Sequence, residues 1–143
     1  MHPLLLEILP LVRQGYCCSQ LLVLLALKFY ERENPDWVDA SRGLGFGIGQ
    51  ANGPCGLLTG GASVLAWMAA QKSKDLKVDP LLNDYALWFE ELVAPYGGVN
   101  CGTLTQGLTG QDKPSDLLAC GELLAACWEK ILQIASDYAL NLD

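Results

Sequence analysis

Cysteine is the one residue type in this chain with the numbers and placement to do chemistry. Six thiols, Cys17, Cys18, Cys55, Cys101, Cys120 and Cys127, stand against a single histidine, His2. With one imidazole at the second residue, a Cys-His or Ser-His-Asp apparatus is not expected. Any chemistry here is sulfur chemistry, carried by thiolates that ligate metals, attack disulfides or cycle between redox states. Four of the thiols stand where helices are predicted to begin. Pro54 favours a first helical position, which places Cys55 in the first turn of its helix. Free backbone N–H groups and the positive end of the helix dipole there favour a thiolate, so Cys55 is expected to be the best nucleophile. Cys18 follows Gly15 at the start of another helix, Cys101 follows a predicted N-cap at Asn100, and Cys120 opens the last helix or its second segment.

The elements that must position these thiols read as helices. Leu4, Leu5, Ile8, Leu11 and Val12 form one apolar stripe, with Pro10 bending or ending it. A second helix runs from about Tyr16 to Tyr30 and is apolar almost all round, which makes it central. Glycines 43, 45, 47 and 49 follow. They lack the spacing, lysine and preceding strand of a phosphate loop, and predict a helix end with close backbone packing. A third helix covers Pro54 to about Lys72, with Gly56, Gly60, Ser63 and Trp67 on one face that invites a close neighbour. Pro80 to Val93 is a fourth. A short turn or helix begins at Cys101 and is ended by Gly107 and Gly110. The last helix starts near Ser115 or Asp116, with a break near Gly121. No run alternates with period two. The fold class is therefore all-α: one compact bundle of about five to six helices, residues 1–143 forming a single domain, with a Gly-rich connection before the third main helix.

Composition narrows the partners. Hydrophobic residues make up 51%, charged residues 17%, and the formal net charge is −7. An acidic surface argues against nucleic acid and against an anionic membrane. No apolar run reaches bilayer length, and Met1 to Leu11 is a poor signal peptide, so a cytoplasmic protein without membrane insertion is expected. A reducing cytosol leaves cysteines free, metal-bound or redox-cycling. The absence of a Rossmann signature speaks against bound NAD or flavin, and no C-x-x-C-H run exists for haem. Glu90-Glu91 and Asp36…Asp39 read as solvated carboxylates, the four tryptophans as core or interface anchors, and Thr59 as bonding back within its own helix.

There is also no C-x-x-C, hence no thioredoxin-type pair or zinc ribbon. Spacing alone makes a buried inert cysteine the default for each thiol, and Cys17 and Cys127 keep that reading. The ordered set of motifs is more specific. Gly15-Tyr16-Cys17-Cys18-Ser19-Gln20, the glycine-rich run into Cys55-Gly56-Leu57-Leu58-Thr59-Gly60, Tyr96-Gly97-Gly98-Val99-Asn100-Cys101-Gly102-Thr103-Leu104, and Cys120 together resemble the C_GCAxxG_C_C family of bacterial and archaeal redox-active proteins. The resemblance covers nearly the whole chain and maps the family's four cysteines onto Cys18, Cys55, Cys101 and Cys120. Leu57 stands where the family carries alanine, and Cys17 and Cys127 fall outside the pattern. A related module joined to multihaem cytochrome sequences favours electron transfer.

Two functions follow as expectations. The first is a cysteine-based redox or electron-transfer protein working with an unknown partner protein. Its four thiols either bind a metal centre, an iron–sulfur cluster being slightly favoured, or form thiol/disulfide pairs with Cys55 and Cys18 as redox thiols. The alternative is a non-catalytic helical interaction module, a possible homodimer, with structural zinc or inert buried cysteines.

Overall fold

The computed structural model describes residues 2–110 and 117–140. Among the described residues there are seven right-handed α-helices and no strand. They are α1 (Pro3–Arg13), α2 (Cys18–Phe29), α3 (Pro35–Ser41), α4 (Gly56–Lys72), α5 (Asp79–Val93), α6 (Cys101–Thr109) and α7 (Leu117–Asp137). Two 3₁₀ turns, Arg42–Leu44 and Ala94–Tyr96, lead into the loops before α4 and α6. No single helix among the described residues is long and apolar enough to cross a membrane.

The all-α bundle matches the periodicity, with one helix more than expected. The addition is α3, which precedes the glycine-rich connection. It is only seven residues long, and local chemistry starts it: Pro35 stands in its first turn and the Asn34 side chain accepts from the Trp37 N–H at 3.1 Å. Two other boundaries differ from the sequence reading. α6 runs past Gly107 to a left-handed cap at Gly110. α7 is continuous through Gly121, where the missing side chain admits Leu5 of α1; a Cβ there would stand 2.6 Å from the leucine Cδ2. The predicted start of that helix at Ser115 or Asp116 lies outside the described residues.

The apolar α2 is central, as its lack of a polar face requires: Leu22, Val23 and Ala26 are wholly buried. It packs along α4. There the small-residue face does what small residues allow, since a Cβ on Gly60 would meet Ser19 Cα at 2.8 Å. α5 contributes Leu81, Tyr85, Phe89 and Val93, and α7 contributes Leu124, Cys127, Ile131 and Ile134. Each large side chain fully removed from water adds about 1.5–3 kcal/mol. Trp37 stacks on Trp67 with ring centroids 5.1 Å apart, and Tyr30 meets Trp67 edge-on, closing the end of the bundle away from the cysteine-bearing helix starts. His2 caps α1, its Nδ1 accepting from the Leu4 N–H at 3.1 Å, and its Nε2 pairs with Glu129 of α7. It is far in the chain from every thiol but structural in role. Glu90, Glu91, Asp36 and Asp39 are exposed.

Candidate functional site

Four helix starts bring four thiols to one end of the bundle. Cys18 is the first residue of α2, with Cys17 as N-cap; Cys101 is the first residue of α6; Cys120 lies in the first turn of α7. Cys55 is the N-cap of α4, one step earlier than the Pro54 reading predicted. The reason is tertiary: Pro54 is held in an antiparallel bridge with Asn100 rather than in the helix. Around that bridge the Cys55 N–H donates to Val99 O and the Cys101 N–H donates to Gly53 O, both at 2.8 Å. The reciprocal pair fixes the two cysteine backbones side by side.

A second device presses on Cys101. Residues Phe46, Gly47, Ile48, Gly49 and Gln50 all have positive φ, so this segment is one turn of left-handed helix. Gly47 and Gly49, the last two of the four alternating glycines, sit inside it. L-residues pay about 1–2 kcal/mol each in that conformation and glycine does not, which explains glycine at these two positions. Gly47 also touches the site: a Cβ on it would fall 2.8 Å from Cys101 Cβ. Its carbonyl accepts from the Gly53 N–H at 2.9 Å, closing the strap.

Sequence reasoning missed Asn52. Asn100 occupies the N-cap position of α6, but its side chain makes no capping bond. Asn52 does so instead from across the strap, its Oδ1 accepting from the N–H groups of Gly102 at 2.9 Å and Thr103 at 3.2 Å. No local pattern encodes a cap fifty residues away. Ser19 and Gln20 of the first cysteine motif have roles that spacing does not reveal. Both are buried, Ser19 donating to Ser41 O at 2.7 Å and Gln20 to Val38 O at 3.1 Å, and they anchor the start of α2 beside Cys18. Thr59 bonds back to Cys55 O, as expected, and also to Leu44 O, each at 3.4 Å.

The thiols interact with one another. Cys18 and Cys120 share a side-chain hydrogen bond, and that bond, with burial and the like charges of Cys55, Cys120 and Cys17, holds the Cys18 thiol well above the usual range. Burial pushes Cys55 up to about 12, with Cys101 and Cys120 adding repulsion, although the Leu57 and Leu58 N–H groups pull the other way. Cys101 is raised too, by burial and Cys120, against a lowering hydrogen bond from Thr105. Cys55, Cys101 and Cys120 are thus electrostatically linked, and Cys18 is linked to Cys55 and Cys120. The expectation that the helix start makes Cys55 a thiolate is not met. The amides are present, but Cys55 is only 7% exposed, and desolvation outweighs them.

All six cysteines are free thiols. Cys18, Cys101 and Cys120 are partly exposed, whereas Cys17, Cys55 and Cys127 are buried. Cys17 packs its sulfur 3.3 Å from the Ser19 hydroxyl. Cys127 lies in the core, pushed up to about 12 by burial against a hydrogen bond with Tyr85. Among the described residues, no group of three or more His, Cys, Asp or Glu side chains is arranged to hold a metal ion.

Residues 16–134 match a family model described as "Putative redox-active protein (C_GCAxxG_C_C)". The chain belongs to the C_GCAxxG_C_C family. The matched span takes in all four motif cysteines, together with the strap, Asn52 and the bridge that position Cys55 and Cys101. Neither a curated protein nor a solved structure matches the chain significantly. The family description makes it a redox-active protein of this C_GCAxxG_C_C type, and the cysteines are the groups available for that activity.

Proposed function

We propose that this C_GCAxxG_C_C protein is a dithiol reductant that exchanges with disulfide-bearing substrates, using Cys120 and Cys18 as the working pair. The observation that carries the reading is the side-chain hydrogen bond that pairs Cys18 with Cys120, two residues at helix starts. A thiol attacks a disulfide as its thiolate, and a second thiol within reach then resolves the mixed disulfide. Cys120, hydrogen-bonded to Cys18, is the attacking sulfur. It displaces one half of the substrate disulfide, R′S⁻, and forms the mixed disulfide Cys120–S–S–R. Cys18 then loses its proton, attacks the Cys120 sulfur and releases RS⁻. The protein ends with one disulfide, and the substrate gains two electrons and takes up two protons from solvent.

Anaerobic protein, titrated with a peptide disulfide and mapped by mass spectrometry after acid quench, tests the reading. It requires a Cys18–Cys120 disulfide and release of two substrate thiols per disulfide formed. Cys120→Ser should abolish turnover, while Cys18→Ser should accumulate the mixed disulfide. Thiols that stay reduced in excess substrate overturn it. Stoichiometric iron and sulfide in the purified protein, lost in Cys120→Ser, would replace it with a metal centre.

A further inference from the structure

The walls beside Cys101 are unlike the rest of the surface. Between Arg42 and Lys72 the chain carries no charged residue, and none stands between Glu91 and Asp112, although the formal net charge is −7. The first stretch holds the left-handed strap and the start of α4; the second holds the Ala94–Tyr96 turn and α6. They meet around the site. Gly47 packs on Cys101, Asn52 caps α6, and a Cβ on Gly107 would strike the Tyr96 carbonyl at 1.9 Å. The outer side of this collar is exposed: Ile48, Gly49, Gln50, Ala51 and Asn52 on the strap, Thr103 and Gln106 on α6, and Tyr96. Charges are what interface centres lack, because burying an unpaired ion is costly.

Ile48 is a second, independent sign. It is a β-branched residue at φ 60°, where such side chains are strained, and its apolar side chain is 52% exposed. Backbone strain and water exposure both argue against isoleucine there for folding alone. An apolar group held out on a strained turn beside Cys101 is an anchor for something that covers it.

We infer that this charge-free collar is the docking surface for the substrate, and that it selects uncharged, partly apolar polypeptide segments bearing a disulfide. The inference rests on the exchange function proposed above. An uncharged face matches an uncharged segment: neither partner must strip water from an ion, and the acidic remainder of the surface does not steer the encounter. The same collar disfavours small disulfides whose recognition depends on charge.

Three probes separate the possibilities: a neutral peptide disulfide flanked by apolar residues, the dianionic oxidised glutathione, and the dicationic cystamine. The neutral peptide should react fastest, at a rate changing less than about twofold between ~50 and ~500 mM salt, because no ion pair is there to be screened. Ile48→Glu and Gln106→Glu should each slow it at least about fivefold, while Leu87→Glu, an exposed apolar site on α5, leaves it unchanged. Melting curves and thiol counts in urea show whether each variant is folded and intact. A charged probe reacting fastest, or a rate that falls with salt, overturns the collar but leaves the exchange function standing. Failure of all three probes to oxidise the site removes both.

Discussion

Alkylation of Cys55 separates helix-start electrostatics from burial. If the dipole and amides ruled, Cys55 would be ionised near neutral pH and modified first. The structure instead puts it at about 12, against the ordinary thiol value of 9.0. At pH 8 a thiol at 9 is about one-tenth thiolate and one at 12 about one part in ten thousand, a thousandfold deficit before any loss of access is counted. Cys101 is less buried and receives the Thr105 hydrogen bond, so it should react ahead of Cys55. The assay is pulsed iodoacetamide labelling of reduced, anaerobic protein with peptide mapping, beside a urea-unfolded control in which all thiols react alike. Expected is Cys101 labelled in minutes while Cys55 and Cys127 are spared, their labelling rates rising about tenfold per pH unit through pH 10. Cys55 modified as fast as in the unfolded control would refute the reasoning, because burial would then not be governing the site.

Other outcomes follow from the packing. A Cβ on Gly61 would lie 2.3 Å from the Tyr85 hydroxyl, which donates to Leu57 O at 2.6 Å. Gly61→Ala should therefore destabilise by about 2–4 kcal/mol in urea denaturation despite alanine's helix preference; an unchanged or raised midpoint would show that the ring has room to move. Asn52→Ala should cost about 1 kcal/mol and loosen the start of α6, seen as faster amide exchange at Gly102 and Thr103. Stability should also fall in alkali. The unfolded chain releases the Cys55 and Cys127 protons above pH 9 while the fold retains them to about 12, so it holds fewer protons than the folded state and stability is lost across that window. At pH ~10.5 each thiol should cost about 2 kcal/mol in reducing buffer. Cys127→Ser should shallow that slope; an identical slope would mean the buried thiols are not its source.

Most of the helical scaffold was open to inspection in the sequence because it rests on local terms. Apolar spacing marked α1, α2, α4, α5 and α7, and the all-apolar run from Leu21 to Leu27 marked α2 as the centre. The small residues at Gly56 and Gly60 announced a close helix contact, and α2 supplies it at Ser19. The four cysteines at helix starts were visible too, since caps and glycines flag boundaries. What local terms could not hold was anything set by two distant segments at once. The Pro54–Asn100 bridge draws Pro54 out of the helix, and Asn52 takes the cap that Asn100 leaves unused. Gly47 and Gly49 serve a left-handed strap that packs on Cys101, a contact between segments fifty residues apart. Protonation was decided last and by the same cause. The sequence alone determined that Cys55 would meet a helix's amides; only tertiary packing determined how little water would reach it, and desolvation is the larger effect.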